Sequence, residues 1–106
     1  MTRHSKIFKE IRELAHKLFS NIPGMVYLYG SQARGDAAPD SDWDILIVTD
    51  AAIDKQTAYE NYAYPFTEIG WRLGAQITPL LYTRSEWNAE SNTAFYHNVN
   101  NDAILL

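Results

Sequence analysis

The chain has 106 residues, of which 46% are hydrophobic and 21% are charged, and its formal net charge at neutral pH is -4. This composition is that of a soluble globular protein and gives no direct evidence for a nucleic-acid surface or an anionic membrane partner. The absence of cysteine excludes disulfides and thiolate metal sites, and no apolar stretch approaches the roughly 20 residues of a membrane span, so we expect one cytoplasmic domain over residues 1–106.

The first predicted element is an amphipathic helix, with Thr2 or Ser5 as its cap. Its apolar positions recur with helical spacing: Ile7, Ile11, Leu14 and Leu18, joined by Phe8 and Ala15. Segment 21–24 contains Pro and Gly and stops the helix, and the apolar run 25–29 then predicts a buried strand. Residues 30–41 predict a loop with room for one helical turn.

The second predicted strand, residues 43–49, is apolar on both faces, which is typical of a central strand that is covered on both sides. Alternation along a strand predicts two sets of buried side chains on opposite faces: Trp43, Ile45 and Ile47 on one face, Leu46 and Val48 on the other. We expect helices to pack against the first set.

A second long helix is predicted to begin after Asp54 as its cap and to end at Gly74, with a kink or a split at Pro65. Its apolar stripe comprises Tyr59, Tyr62, Phe66, Ile69 and Leu73. Tyr64 and Trp71 fall off this stripe, and they either pack in the core or mark a protein interface.

The last third of the chain predicts a strand over 75–83, in which Pro79 favours an edge position or a bulge. Ser85 with Glu86 opens a short helical segment, another covers 93–99, and the last four residues form a small strand. The predicted class is therefore α/β (α+β), with a small mixed sheet flanked by helices.

The segment "GSQARGDAAPDSDWDILI", residues 30–47, carries the chemistry. Because side chains at i and i+2 share one face of a strand, Asp42 and Asp44 can converge on one hard cation such as Mg²⁺. Gly30 permits close backbone approach, and Ser31 offers a hydroxyl and an amide to a phosphate. Alone, each motif is more often a loop acid, a helix cap or a turn, but the combination at two strand boundaries is far more specific.

This segment resembles the signature of the DNA polymerase beta-type nucleotidyltransferase superfamily, and most closely the minimal nucleotidyltransferases of the MntA antitoxin kind. The matching positions are Gly30, Ser31, Ala33, Arg34, Gly35, Ser41, Asp42 and Asp44. The resemblance implies that the two aspartates hold Mg²⁺ and that Gly30, Ser31 and Ser41 contribute to nucleotide binding. For Arg34 two interpretations stay open: it screens phosphate charge, or it pairs with Asp36 or Asp40 and shapes the loop.

Active members of this superfamily carry a third carboxylate on the neighbouring strand, and here Gln76 stands at the position expected for it, with Thr78 next on the same face. Glutamine accepts a hydrogen bond but is no general base near neutral pH. The resemblance thus leaves two functions open. One is transfer of AMP from ATP to a hydroxyl acceptor such as a tyrosine of a HEPN-type toxin. The other is a binding module that docks to a helical partner or to a second copy of itself, as a homo-oligomer.

Overall fold

The computed structural model describes residues 2–50 and 54–106, which form a mixed four-stranded sheet with helices against both faces. The elements in chain order are α1 (Arg3–Leu18), β1 (Gly24–Tyr29), α2 (Ser31–Arg34), β2 (Trp43–Thr49), α3 (Lys55–Ala58), a π-helical turn (Tyr59–Ala63), α4 (Tyr64–Leu73), β3 (Ile77–Thr83), α5 (Arg84–Ala89), α6 (Ala94–Asp102) and β4 (Ile104–Leu105). Within these described ranges, no helix has both the length and the apolar character that crossing a membrane requires.

The sheet has the strand order β3-β2-β1-β4, with β2 parallel to β3 and β1 antiparallel to both β2 and β4. A parallel pair needs a crossover connection, and the helical segment from Lys55 to Leu73 provides it. The predicted mixed sheet flanked by helices is confirmed, and the edge position predicted from Pro79 is correct because β3 is an edge strand.

Strand β2 separates two apolar clusters, as its two-faced pattern predicted. Trp43, Ile45 and Ile47 pack on the side of α1 and α4, where Ile7, Ile11 and Phe66 are also buried. Leu46 and Val48 pack on the other side against Trp87 of α5 and Val99 of α6. Each fully buried side chain of this size contributes about 1.5–3 kcal/mol by leaving water, so cover on both faces fixes the position of β2.

The long crossover helix departs from its predicted apolar stripe at its first turns. Asp54 caps it as expected, since its carboxylate accepts a hydrogen bond from the Thr57 N–H at 3.0 Å. Tyr59, however, is 43% exposed, and Ala58 is buried in its place. The π-helical turn that begins at Tyr59 adds a residue to the local repeat and so rotates the preceding turn relative to α4. The predicted split lies here, just before Pro65.

Several predicted boundaries also need correction. Strand β1 begins at Gly24, one residue earlier than predicted, and β3 begins at Ile77, two residues later. Helix α5 is capped by Thr83 and not by Ser85, because the Thr83 hydroxyl accepts from the Glu86 N–H while the Glu86 carboxylate accepts from the Thr83 N–H. For α1, Thr2 is the cap, and Ser5 is its partner.

Candidate active site

Asp42 and Asp44 lie at the beginning of β2, and both side chains are partly exposed. Asp44 pairs across the sheet with Tyr29 of β1 and with Thr78 of β3. Partial burial, and then the charge of Asp42, raise the pKa of the Asp44 carboxyl, while the more distant Arg34 opposes this shift. Among residues 2–50 and 54–106, neither aspartate belongs to an ion pair.

Gly30 brings the end of β1 directly against the Asp44 carboxylate. Its backbone has φ 76° and ψ -159°, a combination that is essentially restricted to glycine. A Cβ placed on Gly30 would lie 2.5 Å from the Asp44 Oδ2 atom. The missing side chain therefore lets the Asp44 carboxylate lie directly against the backbone of the turn, a close approach that we call the glycine cradle, and Ser31 begins helix α2 directly after it.

The loop between α2 and β2 is held by Gln32, a residue that sequence reasoning missed. Its side chain is only 6% exposed, and its Nε2 atom donates a hydrogen bond to the Ser41 carbonyl at 3.1 Å. This contact joins the two halves of the motif, because Gln32 belongs to α2 and Ser41 directly precedes Asp42. The sequence carries no signal for it, since glutamine is ordinarily a surface residue.

Arg34 forms ion pairs with two carboxylates of the chain. Its Nε atom lies 3.2 Å from Asp36 Oδ2, and its Nη1 atom lies 2.8 Å from Asp102 Oδ2. The hydrogen bonds that Arg34 donates to Asp102, and then to Asp36, raise the pKa of the guanidinium above its ordinary value. Of the loop partners considered from the sequence, Asp36 is therefore correct, Asp40 is wrong, and Asp102 was not foreseen.

The parallel pairing of β3 with β2 decides what stands beside the aspartates. Thr78 is the direct partner of Asp44, and the carbonyl of Gln76, just before the strand, accepts a hydrogen bond from the Trp43 N–H at 2.8 Å. Alternation along β3 assigns Thr78 to the face of Asp44, whereas Gln76 precedes the strand. In the described part of the chain, no group of three His, Cys, Asp or Glu side chains could hold a metal ion.

Tyr29 forms a wall of the site and was not singled out from the sequence. Its ring packs edge-to-face against Phe95 of α6, with the ring centres 5.9 Å apart. Burial first, then the charges of Asp44 and Tyr82, raise the pKa of the Tyr29 hydroxyl to about 12. Tyr29 therefore stays protonated near neutral pH, and its position beside Asp44 helps to keep that carboxylate partly out of water.

The donor set at this end of β2 fits Mg²⁺. The cation prefers oxygen ligands and commonly binds one or two carboxylates, with substrate phosphates and water filling its other positions. Asp42 and Asp44 supply two carboxylates without a competing ion pair in the described chain, and the missing side chain of Gly30 lets Asp44 approach the backbone of the turn. Two carboxylates without a third protein ligand would leave the other coordination positions of the cation to water and to phosphate oxygens.

The family model described as "Nucleotidyltransferase domain" matches residues 5–91 of this chain. This span covers α1 through α5 and includes both halves of the motif. The chain therefore belongs to the nucleotidyltransferase domain family, as its resemblance to the superfamily predicted.

Individual relatives agree with this assignment. A Methanocaldococcus jannaschii protein named "Putative protein adenylyltransferase MJ0604" is 31% identical over 102 residues, which cover 92% of this chain and 95% of that protein. A Sulfolobus solfataricus structure described as a "putative nucleotidyltransferase" has a TM-score of 0.62 at 21% identity and covers 97% of this chain and 81% of its own.

A further structural neighbour is a complex of tri-AMPylated Shewanella oneidensis HEPN toxin with MNT antitoxin. It has a TM-score of 0.57 at 15% identity, and the match covers 96% of this chain and 70% of that chain. At this identity the likeness establishes the fold, which the chain shares with the antitoxin-toxin structure and with the Sulfolobus protein.

Proposed function

We propose that this protein is a magnesium-dependent nucleotidyltransferase that transfers AMP from ATP to a hydroxyl group of a partner protein. One observation carries the proposal: the Asp44 carboxylate lies against the glycine cradle at Gly30 with the charge of Asp42 close by, and no cation of the described chain forms an ion pair with either aspartate. Family membership supports the reaction type, and the name of the Methanocaldococcus relative supports a protein as acceptor.

In the proposed site, Asp42 and Asp44 hold the cation, and Mg²⁺ when bound would neutralise phosphate charge and orient the triphosphate. Gly30 lets the phosphates approach the backbone. The Ser31 hydroxyl and the Ser31 N–H would donate to phosphate oxygens. Ser41, fixed by Gln32, keeps Asp42 at the mouth of the site.

The reaction is an in-line displacement at the α-phosphorus. The acceptor oxygen forms a bond to this atom, the bond to the bridging oxygen of the β-phosphate breaks, and pyrophosphate leaves. The proton of the acceptor hydroxyl must go to a base. Neither Gln76 nor Thr78 accepts it near neutral pH, so this chain alone supplies substrate binding and positioning, and we expect slow transfer until a base is added.

The proposed acceptor is a tyrosine of a HEPN-type helical toxin. The neighbouring structure of an AMPylated HEPN toxin with its MNT antitoxin supports this choice, because it combines the same fold with the same type of modification. We extend the acceptor to this chain as a proposal that rests on likeness of fold.

A docking module without catalysis is the second candidate. Two observations favour it: the uncharged side chains beside the aspartates, and an exposed aromatic pair on α4. Tyr64 is 40% exposed and Trp71 is 68% exposed, and their rings meet edge-to-face at 5.8 Å. Light scattering of wild type and Trp71→Ser, with and without the co-encoded partner, tests whether this pair supports a complex or a homo-oligomer.

The deciding experiment uses ATP labelled at either the α- or the γ-phosphate, with Mg²⁺ and the protein encoded beside this chain. AMP transfer labels the partner from α-labelled ATP only, whereas phosphorylation would label it from γ-labelled ATP. Asp44→Asn should abolish the α-label. A wild-type protein that binds the partner but transfers no label, even at long times, would support the docking module and contradict the enzyme.

A further inference from the structure

Arg34 connects the phosphate-side turn to a helix that is distant in sequence. Its partner Asp102 is the last residue of α6, 68 residues further along the chain, and their atoms approach to 2.8 Å. The Asp102 side chain is only 19% exposed, while that of Arg34 is 47% exposed. A carboxylate held this far from water favours a fixed guanidinium partner.

Helix α2 needs such an anchor because it has only four residues, Ser31–Arg34. Its backbone hydrogen bonds run from Ala33 and Arg34 to the Gly30 carbonyl, each at 3.0 Å. A single helical turn is not stable by itself in water. Contacts with the rest of the molecule must therefore hold it, and buried Gln32 provides one contact while Arg34 provides another.

Helix α6, which carries Asp102, is itself connected to strand β1, and β1 leads into the turn at Gly30. Helix α6 buries Val99, which is 2% exposed. The chain then continues into β4, which pairs with Tyr27 and Leu28 of β1. Strand β1 ends at Tyr29, directly before Gly30. The elements β1, α2, α6 and β4, with the Arg34–Asp102 ion pair, therefore form a closed ring of contacts around the turn at Gly30.

We propose that Arg34 is a positioning residue, which through Asp102 and Asp36 holds the turn at Gly30 and Ser31 in place for the nucleotide and does not itself bind the phosphates. Its fork of N–H donors is already directed at two carboxylates of the chain. This inference rests on the proposed function, since it assigns a role within the same site.

Calorimetric binding of ATP with Mg²⁺ tests the inference without needing an acceptor. We expect Arg34→Gln and Asp102→Asn to weaken binding by a similar factor, about three- to tenfold, as for loss of a partly exposed charged pair. The double variant should bind no more weakly than Arg34→Gln, because Arg34→Gln already removes the Arg34–Asp102 pair together with the Arg34–Asp36 pair. Exchanging the charges, with Arg34→Asp and Asp102→Arg together, should recover most of the affinity.

A direct phosphate contact gives a different pattern. Asp102→Asn would then leave binding unchanged or tighten it by freeing the guanidinium, and the charge exchange would not restore binding to Arg34→Gln. Either result would overturn the positioning role. The matched control is Asp50→Asn, which breaks another Arg–Asp pair, with Arg84, and should leave nucleotide affinity unchanged.

Amide hydrogen exchange of the nucleotide-free protein separates this inference from the proposed function. Both Arg34→Gln and Asp102→Asn should accelerate exchange of the Ala33, Arg34 and Gly35 amides, at least about threefold, while Asp50→Asn should not. If wild type binds no Mg²⁺-ATP, the proposed function fails, and the exchange data still decide whether the ion pair holds the turn. Unchanged exchange in both variants would contradict the positioning role.

Discussion

The two ends of strand β2 carry aspartates in opposite electrostatic situations. Asp50 follows the strand, and Arg84 binds it through two hydrogen bonds of 2.8 and 3.2 Å. At the other end, Asp42 and Asp44 have no ion-pair partner among residues 2–50 and 54–106. The chain thus neutralises the carboxylate that serves structure and leaves unpaired the two that we assign to function.

This difference is informative because the end of β2 without an ion-pair partner is electrostatically the less favourable of the two. Partial burial, and then repulsion by the charge of Asp42, raise the pKa of Asp44. Arg34 opposes this shift only in part, and its own hydrogen bonds go to Asp36 and Asp102. Perturbed carboxylates in a cleft are typical of functional sites, and the comparison suggests that an external cation provides the missing charge.

The largest expected effect comes from removing a carboxylate at the unpaired end. Asp44→Asn should reduce AMP transfer by about 10³-fold, because the variant loses a ligand to the cation that stabilises the phosphates. ATP binding should also lose its dependence on Mg²⁺ in calorimetry. Asp50→Asn is the matched control and should change neither property. Magnesium-dependent binding that persists in Asp44→Asn would break the contrast between the two ends.

The next largest expected effect is an increase in the rate of AMP transfer. Gln76→Asp supplies a carboxylate at the residue whose carbonyl binds the Trp43 N–H, and Thr78→Asp supplies one at the direct strand partner of Asp44. A general base in the right place raises a rate by about 10²–10⁴-fold, so one of these variants should increase AMP transfer by at least about 10²-fold. Comparing the two identifies which position the acid must occupy. If both strengthen Mg²⁺ binding and neither increases transfer, the docking module becomes the better description.

Gly30→Ala should have a moderate effect that combines stability and binding. The backbone conformation of Gly30 costs other residues about 1–3 kcal/mol, and the new Cβ would lie 2.5 Å from Asp44 Oδ2. Gly35→Ala is the control, because Gly35 has φ 84° but open space around it. We expect urea denaturation to detect a loss in both variants, while only Gly30→Ala weakens Mg²⁺-ATP binding, about tenfold. Equal loss of binding in both would contradict the cradle.

The features that were predicted correctly from the sequence are those that depend on patterns among neighbouring residues. Alternation along 43–49 correctly assigned the two apolar faces of β2. The Asp54 cap and the Gly74 stop were also local signals. Each involves residues within a few positions of one another, where backbone geometry decides the outcome.

The features that the sequence did not predict depend on contacts between residues far apart in the chain or on a change in the helical repeat. Asp102 reaches Arg34 across 68 positions, and no pattern in one sequence pairs them. Tyr59 was assigned to the buried stripe because a constant 3.6-residue repeat was assumed, and the π-helical turn changes the phase at that residue. Thr83 was overlooked as a cap because it ends a strand, although Glu86 three positions later completes a capping box.

The smallest expected effect concerns the paired end of β2, where Glu86 should control stability in acid. Hydrogen bonding from the Thr83 N–H, and then the Lys55 ammonium, hold the pKa of the Glu86 carboxyl below its ordinary value. A group whose pKa is lower in the folded state stabilises the protein above its unfolded pKa, roughly 4.3 for glutamate, and loses that contribution as pH falls through the folded value.

Glu86→Gln keeps an oxygen that can accept from Thr83 but removes the charge that Lys55 attracts. Urea denaturation should therefore show the variant slightly less stable than wild type at pH 7, with the difference vanishing near pH 3. Excess Mg²⁺ should leave this difference unchanged, because Glu86 belongs to the end of β2 that the chain neutralises with its own cations. If Mg²⁺ changed this difference in stability between the variant and wild type, or if the difference stayed the same in acid, the two ends of β2 would not be electrostatically independent.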